Sequence, residues 1–336
     1  MKILQKNLYL DRTRVSVIIL NWNGGNYLMR CVKSVLEADY PKDLLEVIMV
    51  DGGSTDGSAK SVKRMFPRVK IVQNHRNLGF CVGNNIGIAN ASGNLLILLN
   101  NDTIVDKNWV YEILKIAKDP QVGIVGCRLY FPETRIIQSL GLKTKFIGYW
   151  ASIGAGQEDN GQFNDVNDVH YVSGAAMAIK KDVLKRIGLL DPNFYAYAED
   201  VDLCYRAMKA GYRVVTSNAI VYHYGSLSWD YFPLRKEYLN ARNRLYFIMK
   251  HYSPKTLLTY IFEYPLKSFK LDLHRFLKRE TVLQRTEASR KNSHRGKTSI
   301  QALTMVFLRA AMFSIALLST MVSTKNRIRS SEKHAF

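Results

Sequence analysis

The chain has 336 residues, of which 47% are hydrophobic and 11% aromatic, so it can bury a sizeable core and is not a disordered tail. Its formal net charge of +20 indicates an anionic partner, such as a phosphorylated molecule, an acidic membrane surface or nucleic acid. The four cysteines lie far apart without CxxC spacing, which argues against a zinc site or a disulfide framework and favours a reducing compartment. Residues 1–14 are polar and basic and lack the pattern of a signal peptide, so we expect the folded part to stay in the cytosol.

Short apolar runs alternate with helical patterns over the first hundred residues. The run LLILL at 95–99 has no polar alternation, which fits a strand buried on both faces. Alternation of this kind predicts βαβ units and an α/β fold with a mostly parallel sheet flanked by helices. The predicted elements are strands at Val15–Leu20, Val47–Val50, Val69–Val72 and Leu95–Leu99, and helices over about Gly25–Glu37, after Asp56 and after Phe80.

Three of these strands end in polar or glycine-rich sequence: NWNGG at 21–25, DGGSTDG at 51–57 and NND at 100–102. Ligands bind outside the carboxyl ends of parallel strands, so we expect these loops to meet in one crevice. Each loop alone is equally well explained by the turn and capping preferences of Asn, Asp, Gly and Ser. Neither GxGxxG nor GxxxxGK[ST] is present, so a nucleotide would have to be held through carboxylates and a metal.

The second half carries a further signal at 193–211, NFYAYAEDVDLCYRAMKAG. Glu199, Asp200 and Asp202 open a segment with helical spacing, which Gly211 ends as a C′ glycine would. Acidic residues in a first helical turn offset the helix dipole, which is the ordinary explanation for such a cluster. The aromatic loop before them is suited to stacking on a sugar ring, so we interpret the acidic residues also as candidates for a catalytic base.

Several motifs, taken together and in this order, resemble those of a known protein family, although no single motif is specific. They are NWNG at 21–24, VDGGSTDGS at 50–58, NLGFCVGNN at 77–85, LLNNDT at 98–103, VSGAAMAIKKDVLKRIGLLD at 172–191, EDVDLCYR at 199–206 and HYGSLS at 223–228. The set resembles inverting family 2 glycosyltransferases of the GT-A fold, and within them the rhamnosyltransferase-type enzymes that build surface polysaccharides on lipid carriers. The resemblance covers about residues 14–250 and implies a catalytic domain at 1–250. The composition of residues 251–336 predicts a basic helical region there.

The resemblance implies a donor site with a divalent cation, Mg²⁺ or Mn²⁺. Asp102 matches the last acid of the metal-binding DxD element, and His223 matches a histidine that completes the metal shell in some relatives; a partly buried structural histidine is the alternative. Asn100 stands where the family often has an acid, and one carboxylate with substrate phosphates is still a workable Mg²⁺ site. The nucleotide-binding residues implied are Asn21, Asn23, Asp51, Ser54, Asp56, Asn77, Gly79, Asn84 and Asn101.

The implied reaction is a direct displacement at the anomeric carbon of a nucleotide-sugar donor. The resemblance favours a dTDP-deoxysugar such as dTDP-rhamnose as the donor, and a UDP-sugar is the next choice. Asp200 would be the general base and Glu199 would orient it or the acceptor, a hydroxyl of a lipid-linked or polysaccharide glycan. The acceptor-binding residues implied are Gly174, Ala175, Tyr195 and Tyr197.

Two other classes of function stay open. A nucleic-acid-binding protein would fit the charge, but no RRM, KH, OB or zinc signature is present, and we expect no nucleic acid partner. A catalytically inactive scaffold that binds a nucleotide-sugar or another protein is the second alternative.

The C-terminal quarter carries more than half of the net charge, with 16 Lys/Arg against 5 Asp/Glu from His251 onward. The apolar segment Ala302–Val322 is long enough to span a bilayer, but basic residues flank it on both sides. We therefore expect it to lie, with the basic stretch Lys267–Lys297, on the anionic cytoplasmic face of the cell membrane; spanning is the alternative.

Overall fold

The structure is a computed structural model that describes residues 13–164, 168–225 and 233–267, together with Lys270 and Ile315. The chain forms two compact units, the first made of Met1–Thr144 with Trp150–Tyr231 and the second of Lys145–Tyr149 with Phe232–Phe336. The boundary expected at residue 250, between a catalytic domain and a C-terminal region, stays a prediction about function.

Strands and helices alternate along the chain as far as residue 100. The strands are β1 (Val15–Asn21), β2 (Leu45–Asp51), β3 (Lys70–Gln73), β4 (Leu95–Asn100), β5 (Thr103–Val105), β6 (Val122–Tyr130), β7 (Ile137–Ser139), β8 (Leu142–Phe146), β9 (Tyr149–Ser152), β10 (Ala176–Lys180) and β11 (Arg213–His223). The helices are α1 (Gly25–Leu36), α2 (Ser58–Met65), α3 (Gly79–Ala89), α4 (Trp109–Ala117), α5 (Lys181–Ile187), α6 (Glu199–Lys209) and α7 (Pro233–His251).

Nine of the strands form one mixed sheet in the order β3-β2-β1-β4-β10-β6-β11-β5, with β7 paired to β6. The first four strands in this order are parallel, and so are β6 and β11. Strand β10 runs antiparallel to both β4 and β6, and β5 runs antiparallel to β11. The parallel βαβ arrangement predicted for the first hundred residues is therefore confirmed, and an antiparallel insertion follows it.

The centre of the sheet is buried on both faces. Leu96, Ile97 and Leu98 are at most 1% exposed, as the unbroken apolar run predicts. Helix α1 covers one face through buried side chains that include Leu28 and Val32. Each such side chain contributes about 1.5–3 kcal/mol to stability relative to an exposed one.

The register of the central strands brings their carboxyl ends to one level. Asn21 at the end of β1 is paired with Asp51 at the end of β2, and Leu20 is paired with Asn100 at the end of β4. The three loops that follow these strands therefore leave the sheet at the same edge.

The second unit contains α7 and a helical segment at 254–267. Within this unit Tyr260 and Tyr264 have ring centroids 4.7 Å apart, and Arg244 lies over the Tyr264 ring. A Cβ at Gly148, which has a φ of +73°, would lie 2.2 Å from the Tyr260 ring, so the turn between β8 and β9 requires glycine.

Among the helices that the structure describes, none combines the length and the apolar character that crossing a membrane requires. The predicted membrane segments, Ala302–Val322 and Lys267–Lys297, lie outside the described residues apart from Lys267, Lys270 and Ile315.

Candidate active site

Hydrogen bonds from Asn21 join the three loops at the carboxyl edge of the sheet. Its amide nitrogen donates to Asp51 Oδ1 at 2.8 Å and to Ser54 Oγ at 3.0 Å. Its amide oxygen accepts a hydrogen bond from Asn101 Nδ2 at 3.1 Å. The predicted meeting of the three loops is therefore observed, with a buried asparagine at its centre.

Asp51 is fully buried, and both of its oxygens have partners from the chain. Ser54 donates to it from its hydroxyl at 2.6 Å and from its backbone N–H at 3.0 Å, and Gln73 Nε2 donates at 2.5 Å. These contacts fix the start of the loop after β2. The resemblance expected Asp51 in the nucleotide site, and the structure places its carboxylate beneath that loop.

Asn23 and Asp56 lie on the exposed rim of the same loops. Asn23 adopts a φ of 52°, and its side-chain oxygen accepts from the backbone N–H of Thr55 at 2.8 Å. Asp56 accepts from the backbone N–H of Gly25 at 2.9 Å. Partial burial raises the pKa of Asp56, but hydrogen bonds from Ser58 and Gly25 outweigh it and leave the pKa below its ordinary value. The rim therefore carries an ionised carboxylate.

The loop before α3 connects this rim to the aromatic loop. Asn77 Oδ1 accepts from the backbone N–H of Gly79 at 2.9 Å. Gly79 has a φ of +83°, and a Cβ there would lie 2.5 Å from the Tyr195 ring. Asn84 is different, because its buried amide donates to the Phe80 carbonyl of its own helix at 2.9 Å. The structure brings Asn77 and Gly79 to the site and gives Asn84 a partner within α3.

Strand pairing places Asp102 beside His223. Strand β11 ends at His223, which is paired with Thr103 in β5, the residue after Asp102. The backbone N–H of Tyr224 donates to the Asp102 carbonyl at 3.0 Å. As a result Asp102 Oδ1 lies 3.3 Å from His223 Nε2, and both side chains are mostly buried.

Two amides orient the His223 ring. Gln138 on β7 donates from its Nε2 to the His223 carbonyl at 3.3 Å. The Oε1 of Gln138 lies 2.5 Å from Nδ1 of His223 and accepts the Nδ1 hydrogen. Asn100 Nδ2 lies 3.3 Å from Nε2 on the other side and can donate to it. With the hydrogen on Nδ1, the electron pair of Nε2 is available either to the Asn100 amide or to a cation that it would share with Asp102.

The donor set fits a divalent cation that shares its coordination with a substrate. Two ligands at right angles, each about 2.1 Å from an Mg²⁺ ion, lie about 3 Å apart, close to the separation of the Asp102 and His223 atoms. Within the described part of the chain, no three His, Cys, Asp or Glu side chains come together as a metal group. A cation here would therefore take further ligands from amides, water or phosphates.

Glu199 and Asp200 are adjacent acids in the first turn of α6. The backbone N–H groups of Gly174 and Val201 donate to Asp200 at 2.9 and 2.8 Å. Burial raises the pKa of Asp200 above its ordinary value despite these bonds. Burial and the neighbouring charge of Asp200 raise the pKa of Glu199 further, and Glu199 Oε2 is buried without a hydrogen-bond partner among the described residues. Of the two acids, Asp200 is therefore the easier to ionise.

The segment before this pair has strained backbone. Tyr195, Tyr197 and Ala198 have φ values of 64°, 74° and 64°, a region that residues with a side chain rarely adopt. The Tyr195 carbonyl accepts from the backbone N–H of Cys81 at 3.1 Å, which helps to hold the segment. Strain of this kind costs about 1–3 kcal/mol per residue and clusters at functional sites.

Gly174 and Ala175 connect the acids to the end of β4. Gly174 donates to Asp200, and the Ala175 carbonyl accepts from the backbone N–H of Asn100 at 2.9 Å. A Cβ at Gly174 would lie 3.3 Å from the Phe80 ring and 3.5 Å from Asp200. Two consecutive residues thus join the acidic pair to the Asn100–Asp102 turn.

Asp202, the third acid of the cluster, has a structural partner. It is fully buried and accepts from Arg206 Nε at 2.8 Å. Arg206 in turn donates to the carbonyls of Ile187 and Leu189, so this pair fixes α6 to the end of α5.

Sequence reasoning did not identify Gln138 or Gln73. Neither lies in a recognisable motif, and each acts on a residue far along the chain, His223 and Asp51 respectively. Gln73 lies opposite Asp51 because of the register between β2 and β3. That register cannot be predicted from the sequence of either strand alone.

The chain is similar to several known proteins. The first curated relatives are an uncharacterized protein, y4gI, of Sinorhizobium fredii, 30% identical over 64% of this chain, and the O-antigen biosynthesis protein RfbC of Myxococcus xanthus, 31% identical over 64% of it. The chain spans only 25% and 18% of their lengths. Among solved structures, the mannosyltransferase PcManGT of Pyrobaculum calidifontis, in complex with GDP-Man and Mn²⁺, matches with a TM-score of 0.56 at 17% identity, over 92% of this chain and 87% of that one.

The similarity to PcManGT shows the fold, which is GT-A-like and mixed α/β. The family model described as Glycosyl transferase family 2 matches residues 16–188, more than half of the chain. That range contains β1 to β10 and the Asn21, Asp51 and Asp102 loops. The chain belongs to glycosyl transferase family 2.

Proposed function

We propose that this chain is a metal-dependent, inverting glycosyltransferase that moves a sugar from a nucleoside diphosphate to an acceptor hydroxyl. The observation that carries the proposal is the facing pair of Asp102 Oδ1 and His223 Nε2, 3.3 Å apart, at the edge where the three strand loops meet. Family membership and the Asp200 carboxylate in the first turn of α6 support it.

On the donor side, Asp102 and His223 would hold the divalent cation, and the donor phosphates would take other coordination positions. The cation, when bound, supplies positive charge against the departing diphosphate. Asn23 and Asp56 on the exposed rim would contact the nucleoside. Asp51 and Asn21 would support these contacts from beneath, because their hydrogen bonds fix both loops.

On the acceptor side, Asp200 would act as the general base. Its carboxylate takes the proton of the acceptor hydroxyl while the acceptor oxygen bonds to the anomeric carbon and the bond from that carbon to the diphosphate oxygen breaks. The nucleoside diphosphate leaves with the electron pair of that bond. A single displacement of this kind inverts the anomeric centre. Burial and the charge of Asp200 raise the pKa of the neighbouring Glu199, which favours placing the negative charge of the pair on Asp200.

We infer that the donor is a dTDP-deoxysugar such as dTDP-rhamnose, with UDP- and GDP-sugars as competitors. The acceptor would be a lipid-linked or polysaccharide glycan at the cytoplasmic face of the membrane. The motifs from NWNG to HYGSLS, the relative named for O-antigen biosynthesis and the net charge of +20 support this choice. The GDP-Man complex of PcManGT is the reason to keep GDP-sugars among the competitors.

The proposal is tested by incubating the full chain with dTDP-, UDP- and GDP-sugars, with water or an added polysaccharide supplying the acceptor hydroxyl, and measuring release of the nucleoside diphosphate. We expect release from one donor class with Mn²⁺ or Mg²⁺, and its loss when the metal is chelated with EDTA. Binding of a donor without release, at every metal tested, would instead support an inactive scaffold. Equal release with and without metal would contradict the role of Asp102 and His223.

A further inference from the structure

The helical segment at 254–267 exposes a row of large apolar side chains. Leu258, Phe262 and Leu266 are 58%, 72% and 74% exposed. They are spaced four residues apart, so they stack on one face of the helix. Burying large apolar side chains stabilises a protein, so a contiguous exposed row indicates a surface that contacts something else.

The opposite face of the same helix already has its packing partners. Tyr260 and Tyr264 are 2% and 6% exposed, and they pack on each other. Tyr264 also lies 6.0 Å from the Phe146 ring, between centroids. The helix is therefore anchored through its tyrosines, and the row Leu258–Phe262–Leu266 is a second apolar face.

Basic side chains accompany the exposed row. Exposed Lys255 precedes Leu258 by three residues, so it lies on the row's side of the helix, and Lys270, beyond the helical segment at 254–267, is also exposed. The acidic residue of this helix, Glu263, is paired with Lys267. The chain beyond residue 270 adds 13 Lys/Arg against 4 Asp/Glu.

We propose that the docking face, defined as Lys255, Leu258, Phe262, Leu266 and Lys270, inserts its apolar row into the interface of an anionic lipid membrane. Apolar side chains between lysines are the composition of a helix that lies in the headgroup region, with lysine stems reaching to lipid phosphates. The basic sequence that follows adds attraction to the same surface. The role of this contact, which is to deliver the enzyme to a lipid-linked acceptor, rests on the proposed function. The membrane contact itself is argued from the docking face alone.

Contact with acyl chains can be observed directly at Phe262. The full chain with Phe262→Trp is mixed with vesicles of phosphatidylglycerol and phosphatidylcholine whose acyl chains are brominated, and fluorescence quenching is compared with that of wild type. We expect additional quenching in this variant. The control is Phe131→Trp, which replaces another exposed phenylalanine, 41% exposed, in the first unit. Quenching no greater for Phe262→Trp than for the control would overturn the proposal.

The energetic contribution is measured by vesicle flotation. Replacing Leu258, Phe262 and Leu266 together by Gln, a good helix former, should weaken binding to phosphatidylglycerol vesicles by at least about tenfold. The matched triple replacement of Met65, Phe131 and Leu189 by Gln should bind as wild type does. The proposal would be overturned if the first triple variant bound vesicles as tightly as wild type does. It would also be overturned if that variant lost a dimer but kept vesicle binding, because the docking face would then contact a second copy of the chain.

The membrane contact can be tested independently of the proposed transferase activity. Nucleoside diphosphate release by the docking-face variant in vesicle-free buffer should equal that of wild type. If wild type releases none, the proposed function fails while the quenching result still decides the membrane contact.

Discussion

The donor loops and the acceptor loop are built in opposite ways. In the donor loops, Asn21 and Asp51 are fully buried and every oxygen of the Asp51 carboxylate accepts hydrogen bonds from the chain. In the acceptor loop, Glu199 is buried with an oxygen that has no partner among the described residues, and Tyr195, Tyr197 and Ala198 adopt strained backbone conformations.

The difference indicates what each region does. A network with all hydrogen bonds made is rigid, and it can hold the same nucleotide geometry through each turnover. Buried acids with raised pKa values and strained backbone are costly for stability, and they persist where a proton must be moved. Stability therefore concentrates on the donor side and acid–base chemistry on the acceptor side.

The largest effect is expected from removing the charge of the metal ligand. Asp102→Asn keeps the size of the side chain, so the fold should survive, but its neutral oxygen binds a divalent cation weakly. Loss of several kcal/mol of charge stabilisation should lower nucleoside diphosphate release by at least about 1,000-fold. Asp106→Asn, four residues away and exposed, is the matched control. Turnover near that of wild type at saturating Mg²⁺ would remove Asp102 from the metal site.

Removing the buried carboxylate of the donor loops should destabilise the fold. Asp51→Ala leaves the donors of Asn21, Ser54 and Gln73 without their acceptor, which should lower the free energy of unfolding by about 3 kcal/mol. Urea denaturation measures this loss. Asp56→Ala, at the exposed rim, should cost about 1 kcal/mol. Equal costs for the two variants would show that the buried network is not what stabilises the donor side.

Loss of the His223 support should weaken metal binding without abolishing it. Gln138→Leu removes the acceptor of the Nδ1 hydrogen, and affinity for Mn²⁺, measured by electron paramagnetic resonance, should fall by about 10- to 100-fold. Gln138→Glu retains an oxygen at that position and should recover most of the affinity. If the Leu variant binds Mn²⁺ as tightly as wild type, Gln138 does not orient a metal ligand.

The smallest effect is a gain in stability on the acceptor side. Burial and Asp200 raise the pKa of Glu199 in the folded state, so wild type loses stability as pH rises above the ordinary Glu pKa of about 4.3. Glu199→Gln cannot ionise and should therefore be more stable than wild type at pH 8, with the gain absent below about pH 4. The exposed control Glu37→Gln should show no such difference. A Glu199→Gln variant that is less stable at pH 8 would contradict the raised pKa.

The sequence predicts the first half of the fold because the relevant signals are local. Apolar runs such as Leu95–Leu99 identify buried strands, and parallel strand ends share an edge, so the meeting of the loops that follow β1, β2 and β4 is predicted by the pattern. The antiparallel insertion of β10, Ala176–Lys180, does not follow, because a short run of small residues carries no information about its partners.

The finer features of the site depend on long-range pairing and on backbone conformation. His223 meets Gln138 only because β11 and β7 both lie beside β6 in the sheet. The positive φ values of Tyr195, Tyr197 and Ala198 fall on residues that ordinarily avoid them, so no composition rule predicts them.

The division between a donor side that binds and an acceptor side that transfers protons is tested most directly with Asp200→Asn. In one preparation, affinity for dTDP, UDP and GDP with Mn²⁺ is measured by calorimetry, and release from the active nucleotide-sugar is measured with acceptor present; Asp191→Asn in the preceding loop is the control. We predict nucleotide affinity equal to that of wild type and release lower by about 10²–10⁴-fold. Collapse of nucleotide affinity, or release equal to that of wild type, would contradict the account.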